Sequence, residues 1–130
     1  MSTSQELSVT ELFRRRLSGE AKFVPHNLYD RDADCVTYFN ANVPTNSDQL
    51  DPFITLFYEP ATSKLVGFKV KCIRMIVRRL VENGKKPGKI TFEDVLDLAE
   101  ELSEDHRKRK MHREAAKESE LAKVVLPDVQ

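Results

Sequence analysis

Hydrophobic and polar residues alternate along the middle of the chain with the two-residue period of β-strands. In LVGFKVKCI, Phe68, Val70 and Cys72 share one face, and Lys69 and Lys71 share the other. The segments CVTYFNA and FITLFYE are rich in β-branched and aromatic residues, which favour strands. KFVPHNLYD is a further candidate, and its proline restricts it to a sheet edge or an irregular entry. VPTNSDQLDP is predicted to be a polar loop, so the pattern predicts two hairpins and a four-stranded antiparallel sheet.

Segments on both sides of this region follow the helical period instead. An N-terminal helix is predicted over SVTELFRRRLSG, where Ser8 and Glu11 have the spacing of a capping box. IRMIVRRLVENG carries an apolar stripe followed by Asn-Gly, which predicts a helix over residues 70–83. In TFEDVLDLAEEL, Thr91 and Asp94 occupy the N-cap and third helical positions of a helix predicted over residues 91–104.

These elements predict a single α+β domain over residues 1–104. Its four-stranded antiparallel sheet is expected to be covered on one face by the N-terminal helix and the two C-terminal helices, because an antiparallel sheet needs cover for its apolar side chains. The remaining segment, residues 105–130, is predicted to be a charged helical or partly disordered extension, either a solvated helix or a tail that folds on a partner. It has few apolar residues to bury: Met111, Ala115 and Leu121.

The charge balance does not by itself point to a partner. Among 130 residues, 21 are Lys or Arg and 21 are Asp or Glu. The segment between Asp51 and Lys89 is basic, and the chain beyond it is acidic. No window reaches about 18 consecutive apolar residues, so no membrane span is expected. The N-terminus lacks the apolar core of a signal peptide, which predicts a cytoplasmic protein whose two cysteines are free thiols.

Three aspartates occur at every second position in LYDRDADCVTYF. Asp30, Asp32 and Asp34 match the first ligand positions of a calcium loop, which also requires glycine at position 6 and glutamate at position 12. Those positions hold Cys35 and Ala41. A hairpin turn is therefore predicted, in which aspartate side chains bond nearby backbone N–H groups. The turn is also a candidate acidic contact surface, and a metal site or a carboxylate catalytic site is the alternative.

Four basic residues lie close together in the sequence at the predicted start of the helix over residues 70–83. Lys71, Arg74 and Arg78 have spacings of three and four, which place them on one helical face, and Arg79 is adjacent. This group is a candidate contact for an anion or a partner, either phosphate groups or an acidic protein surface. The alternative is a solvated face opposite the apolar stripe.

Known catalytic patterns are missing from the sequence. There is no G-x-S-x-G, phosphate-binding loop or G-x-G-x-x-G, and only four glycines are present. Cys35 and Cys72 are assigned to the core rather than to catalysis. In HRKRKMHR, His106 and His112 lie on different sides of a helix, which does not suit one zinc site. No enzymatic activity, cofactor or metal is expected.

The sheet region resembles domain-of-unknown-function family 2283, a family of small bacterial α+β domains. The matching features are Tyr29 with Asp30, Asp32 and Asp34, then CVTYF, then ITLFYEPATSKLVGFKV, over residues 27–72. The long loop Asn42–Pro52 and the helices after Cys72 depart from the family pattern. The resemblance implies a bacterial protein without enzyme chemistry and an antitoxin-like or regulatory binding role beside a toxin-like partner.

The aromatic residues of the strands suggest an interaction surface. Tyr38, Phe57 and Tyr58 cannot all face the same side of the sheet as Phe39, and exposed aromatics suit a homodimer interface. The leading hypothesis is a non-enzymatic protein-interaction or regulatory protein that forms a homo-oligomer or binds a protein partner, with the charged C-terminal helix as a contact element. The alternative is a nucleic-acid-binding regulator that uses the basic helix around residues 71–79.

Overall fold

A computed structural model describes residues 26–103 and 109–129 of the chain, which form one sheet and three α-helices. The strands are β1 (His26–Asp30), β2 (Cys35–Phe39), β3 (Asn46–Gln49), β4 (Ile54–Glu59) and β5 (Lys64–Lys71). The helices are α1 (Ile73–Glu82), α2 (Phe92–Leu102) and α3 (Lys110–Glu118), and a 3₁₀ helix, Glu120–Lys123, follows α3. None of the described helices is long and apolar enough to cross a membrane.

The sheet has five strands in the order β1-β2-β5-β4-β3, and every neighbouring pair is antiparallel. The α+β class and the antiparallel sheet are confirmed. The prediction of four strands is wrong, because the segment expected to be a polar loop contains β3. The predicted N-terminal helix lies outside the described residues, and the described part of the chain has three helices after the sheet rather than two.

Strand β3 forms although its residues, Asn-Ser-Asp-Gln, have low strand propensity. It lies at the edge of the described sheet, where β4 is its one neighbour, and is mostly exposed, so polar residues cost little there. The turn that follows fixes the pairing. The Asp51 carboxylate accepts hydrogen bonds from the N–H groups of Phe53 and Ile54 at 2.7 and 2.9 Å. The N–H of Leu50 donates to the Ile54 carbonyl at 2.8 Å. Turn chemistry therefore defines this hairpin.

The helix predicted over residues 70–83 begins later, at Ile73. Strand β5 continues to Lys71, and Cys72 then takes a left-handed conformation with φ 56°, which reverses the chain into α1. Cys72 is exposed as a result, and its predicted place on the core face is wrong. The predicted capping box of α2 is confirmed. The Thr91 hydroxyl accepts from the Asp94 N–H at 3.3 Å, and the Asp94 carboxylate accepts from the Thr91 N–H at 3.0 Å.

One face of the sheet packs on the helices and forms the core. Strand register aligns Val36, Val70 and Ile54 in one row across β2, β5 and β4. These side chains are fully buried, and each contributes about 1.5–3 kcal/mol to folding through burial. In the next row Phe68 stacks on Phe92 of α2 with ring centroids 3.7 Å apart. Sheet and helices therefore share one core.

The described part of the chain beyond residue 108 adds to this core. Its buried apolar residues are Ala116, Leu121, Ala122, Leu126 and Val129. Two backbone hydrogen bonds tie it to the start of α2: Phe92 N–H to the Val124 carbonyl at 2.9 Å, and Leu126 N–H to the Ile90 carbonyl at 2.8 Å. Of the three apolar residues that the sequence offered for burial, Leu121 is buried, whereas Met111 and Ala115 are exposed.

A buried ion pair fixes α3 to the sheet. The Arg113 side chain is 3% exposed and donates to the Asp51 carboxylate at 2.9 Å and to the Leu96 carbonyl at 3.2 Å. The second Asp51 oxygen accepts the two N–H groups of the β3–β4 turn. Each charge therefore has several hydrogen-bond partners, which offsets the cost of removing it from water.

Replacing Arg113 by alanine is expected to destabilise the protein by about 3–5 kcal/mol, because the Asp51 carboxylate would remain buried without its cation. Lys117→Ala is the matched control on the same helix. Lys117 pairs with Asp97 and Glu100 at a partly exposed position, so its loss is expected to cost less than about 1 kcal/mol. Urea unfolding of both variants measures the difference, and equal losses would contradict the assigned role of Arg113.

Candidate functional site

The three aspartates lie at the turn between β1 and β2, where the sequence predicted a hairpin turn. Asp30, the last residue of β1, accepts a hydrogen bond from the Ala33 N–H at 3.0 Å. Asp34 has φ 55°, a left-handed conformation that aspartate tolerates better than most residues. Asp32 is exposed. Within the described residues, no group of three or more His, Cys, Asp or Glu side chains is placed to hold a metal ion.

Asp34 also caps helix α1 from a distance. One of its carboxylate oxygens accepts the Arg74 N–H at 3.1 Å, and its carbonyl accepts the Ile73 N–H at 3.2 Å. Both donors belong to the first turn of α1, where backbone N–H groups have no partner inside the helix. Cys72 occupies the N-cap position and makes no side-chain cap. The acidic turn therefore supplies hydrogen-bond acceptors for the first N–H groups of α1, which the side chain of the N-cap residue does not.

The guanidinium of Arg74 returns to the same turn. Its Nε donates to the Tyr29 hydroxyl at 3.2 Å and lies 3.5 Å from the Asp34 carboxylate, and its Nη2 donates to the Arg31 carbonyl at 2.6 Å. The hydrogen bond to Tyr29 raises the pKa of Arg74, so the side chain remains charged. We name this cluster of Tyr29, Arg31, Asp34 and Arg74 the Arg74 brace. It joins the acidic turn to the basic helix.

The other basic candidates are not part of this cluster. Lys71 ends strand β5 rather than lying on the helix, so it does not share a helical face with Arg74 and Arg78. Lys71, Arg78 and Arg79 are exposed and form no ion pair with a described residue. Among the described residues, three of the four predicted basic side chains thus have no ion-pair partner, whereas Arg74 contacts the turn.

The brace supports an edge of the sheet that has an exposed apolar residue at its centre. Strand β1 pairs only with β2 among the described strands. Leu28, the third of its five residues, is 56% exposed. On the other side of the edge, the Asn27 amide donates to the Val125 carbonyl at 3.1 Å, and Val125 is 48% exposed. Two exposed apolar side chains therefore lie at this edge of the described sheet.

The sheet face opposite the core carries the remaining aromatics. Phe39 and Phe57 pack together with centroids 4.8 Å apart, and both lie beside Gly67 in the strand register. A Cβ at Gly67 would lie 2.4 Å from the Tyr38 carbonyl oxygen, so glycine is required for this close approach. Tyr38 and Tyr58 pack on the core instead. The expectation that the aromatics divide between the two faces is confirmed.

A second polar cluster lies at the opposite edge. One carboxylate oxygen of Asp48 in β3 accepts a hydrogen bond from the Arg109 guanidinium, and His112 Nδ1 lies 2.8 Å from the other oxygen. Burial and the Asp48 charge raise the pKa of Tyr58. An open groove of about 490 Å³ lies between this cluster and the β4–β5 turn. Sequence reasoning missed these contacts because Asp48 lies in a segment assigned to a loop and its partners lie more than sixty residues away.

The two cysteines are unpaired and lie in different surroundings. Cys35 is buried at the start of β2, as expected of a core residue, whereas Cys72 is exposed at the start of α1. The His112 side chain lies within hydrogen-bond distance of Asp48 and Arg109 rather than of either thiol.

Asp34→Gly is expected to cost about 1 kcal/mol of folding stability, because the cap of α1 is lost while glycine accepts φ 55° without strain. The matched control is Asp32→Gly in the same turn, where no hydrogen bond to a described residue is lost and less than about 0.5 kcal/mol is expected. Urea unfolding compares the two. Equal destabilisation by both variants would show that Asp34 does not cap the helix.

The chain matches no protein-family model, and neither curated proteins nor solved structures show a significant match. The resemblance to domain-of-unknown-function family 2283 and the binding role that it implies therefore remain predictions. The candidate site rests on the geometry of the chain alone: an edge strand with an exposed leucine, next to a turn that the Arg74 brace holds.

Proposed function

We propose that the protein is a non-enzymatic interaction protein that binds through the edge of its sheet formed by strand β1. The observation that carries this proposal is Leu28, a leucine that is 56% exposed at the centre of a strand that lies at the edge of the described sheet. Exposed edge strands with apolar residues are sites where a further strand adds, because backbone groups and apolar surface are offered together.

The surroundings of β1 support this proposal. The Arg74 brace fixes the strand's last residues and the turn that follows, so the edge is held in one conformation before a partner arrives. A preorganised surface loses less conformational entropy on binding than a mobile one. Proteins also commonly protect edges with charged residues or proline, and neither occurs at the centre of β1.

A second function is favoured by a separate observation. Lys71, Arg78 and Arg79 are exposed and unpaired among the described residues, and Lys86 and Lys89 follow in an exposed loop after α1. Such a group of cations suits the phosphates of a nucleic acid, whose binding depends strongly on salt. We therefore propose nucleic-acid binding by α1 as the alternative function.

Replacing Leu28 by lysine is expected to abolish protein binding without unfolding the domain, because the side chain is largely exposed and a charge at an edge blocks strand addition. The matched control is Met111→Lys on α3, where an 84% exposed apolar residue lies away from β1. Tagged wild type and both variants are used to capture proteins from native lysate after nuclease treatment, and circular dichroism checks their folding. A protein bound by wild type and Met111→Lys but not by Leu28→Lys supports the proposal. Equal capture by all three contradicts it.

The alternative function predicts that Arg78→Ala with Arg79→Ala weakens binding to a labelled DNA duplex and lowers the slope of log affinity against log salt by about 2. The control is Lys110→Ala with Lys123→Ala, which removes two exposed cations elsewhere. Fluorescence anisotropy over a salt series measures both. Absence of wild-type binding at low salt, or equal losses in the two double variants, would exclude α1 as the nucleic-acid contact.

A further inference from the structure

Helix α1 ends in a Schellman motif at Asn83 and Gly84. Gly84 has φ 102°, which glycine adopts without strain, and a Cβ at this position would meet no atom within 4 Å. The Gly84 N–H donates to the Val81 carbonyl at 3.0 Å. The Lys85 N–H donates to the Leu80 carbonyl at 2.9 Å. These two bonds satisfy carbonyls of the last helical turn, and both depend on the backbone path from Asn83 into Gly84.

The sequence around Asn83 favours loss of its side-chain amide. Asparagine occurs at positions 27, 40, 42, 46 and 83, and glycine follows only the last of these. Because glycine has no side chain, its backbone nitrogen can approach the amide carbon of the preceding side chain closely. Asn83 and Gly84 are both exposed, as is the loop that follows up to Lys89. Water and base therefore reach the backbone between Asn83 and Gly84.

We propose that Asn83 is a site of spontaneous deamidation. The Gly84 backbone nitrogen loses its proton to base and attacks Cγ of the Asn83 side chain, and ammonia leaves as a cyclic succinimide forms. Water then opens the succinimide at either carbonyl. The product at residue 83 is aspartate or isoaspartate, which has an additional carbon in the backbone. The reaction consumes only water, and the inference does not depend on binding at β1.

The Schellman motif controls how often the succinimide can form. Ring closure requires rotation about the Cα–C bond of Asn83, where ψ is 6°, and this rotation breaks the hydrogen bond from Gly84 to Val81. That bond lies at a helix end, where local opening costs less free energy than global unfolding. The folded chain is therefore expected to deamidate more slowly than the unfolded chain, through opening of the helix end alone.

Deamidation changes both the charge and the backbone at the end of α1. The new carboxylate lies at the C-terminus of the helix, where the helix dipole disfavours negative charge. It also lies one turn from Arg79, an exposed cation of α1. In isoaspartate the main chain runs through the former side chain, so the N–H groups that close the Schellman motif no longer meet their carbonyls.

Peptide mass spectrometry of the folded wild-type chain, incubated in mildly alkaline buffer, tests the proposal. Asn46 is the internal control, an exposed asparagine that the pairing of β3 with β4 holds in a strand. We expect deamidation at Asn83 to be at least about tenfold faster than at Asn46, because the helix end opens locally and glycine follows Asn83. Equal rates at the two positions, or no isoaspartate at residue 83, would overturn the proposal.

The variant Asn83→Asp separates the effect of charge from that of the backbone, because it carries the new carboxylate on a normal main chain. Amide hydrogen exchange at Gly84 and Lys85 is compared in wild type, in Asn83→Asp and in the purified isoaspartate form. Exchange that is about tenfold faster in the isoaspartate form alone supports loss of the Schellman motif. Equal exchange in all three proteins would contradict it.

Discussion

The carboxylate of Asp34 accepts a hydrogen bond from the first turn of helix α1, forty residues further along the chain. The first N–H groups of α1 need acceptors, and Cys72 at the N-cap position provides none through its side chain. The acidic turn supplies them, and the guanidinium of Arg74 returns to the same turn through Tyr29 and Arg31. The hairpin of β1 and β2 is consequently fixed to α1 by polar contacts at one end, in addition to its pairing with β5.

The two edges of the sheet are stabilised in different ways. At the β3 side, Arg113 lies buried against Asp51, and Asp48 binds two side chains at the beginning of α3. Helix α3 itself buries only Arg113 and Ala116, so its attachment depends on charge more than on apolar surface. At the β1 side the supporting contacts lie at the turn after the strand, β1 pairs only with β2 among the described strands, and Leu28 is exposed. This asymmetry is the physical basis for assigning interaction to β1.

Sequence patterns predicted the features that depend on residues close together in the chain. The alternation in β5 placed Phe68 and Val70 on the core face, and the spacing of Thr91 and Asp94 predicted the capping box of α2. Strand β3 was missed because its residues have no strand preference and owe their conformation to the Asp51 turn and to pairing with β4. Periodicity also placed Cys72 in the core, because a pattern of apolar residues does not reveal a single left-handed residue at which a strand ends and a helix begins.

Contacts between distant residues account for the rest. The sequence identified both the acidic turn and the basic helix, yet neither composition nor spacing indicates that Arg74 would join them. Arg113 lay within a run of charges whose field is largely cancelled by neighbouring acids, and no local pattern marks it as buried. Leu28 did not stand out as an interaction residue, because its exposure follows from the position of β1 at the edge of the strand order.

Amide hydrogen exchange of strand β1 in wild type and in Asp34→Gly measures whether the acidic turn and Arg74 hold this edge of the sheet in place. The exposed loop after α1 serves as an internal reference. We expect β1 amides to exchange faster in Asp34→Gly, because the cap of α1 and the ion pair with Arg74 are lost, while the reference amides exchange at unchanged rates. Equal exchange of β1 amides in the two proteins would contradict this role of Asp34.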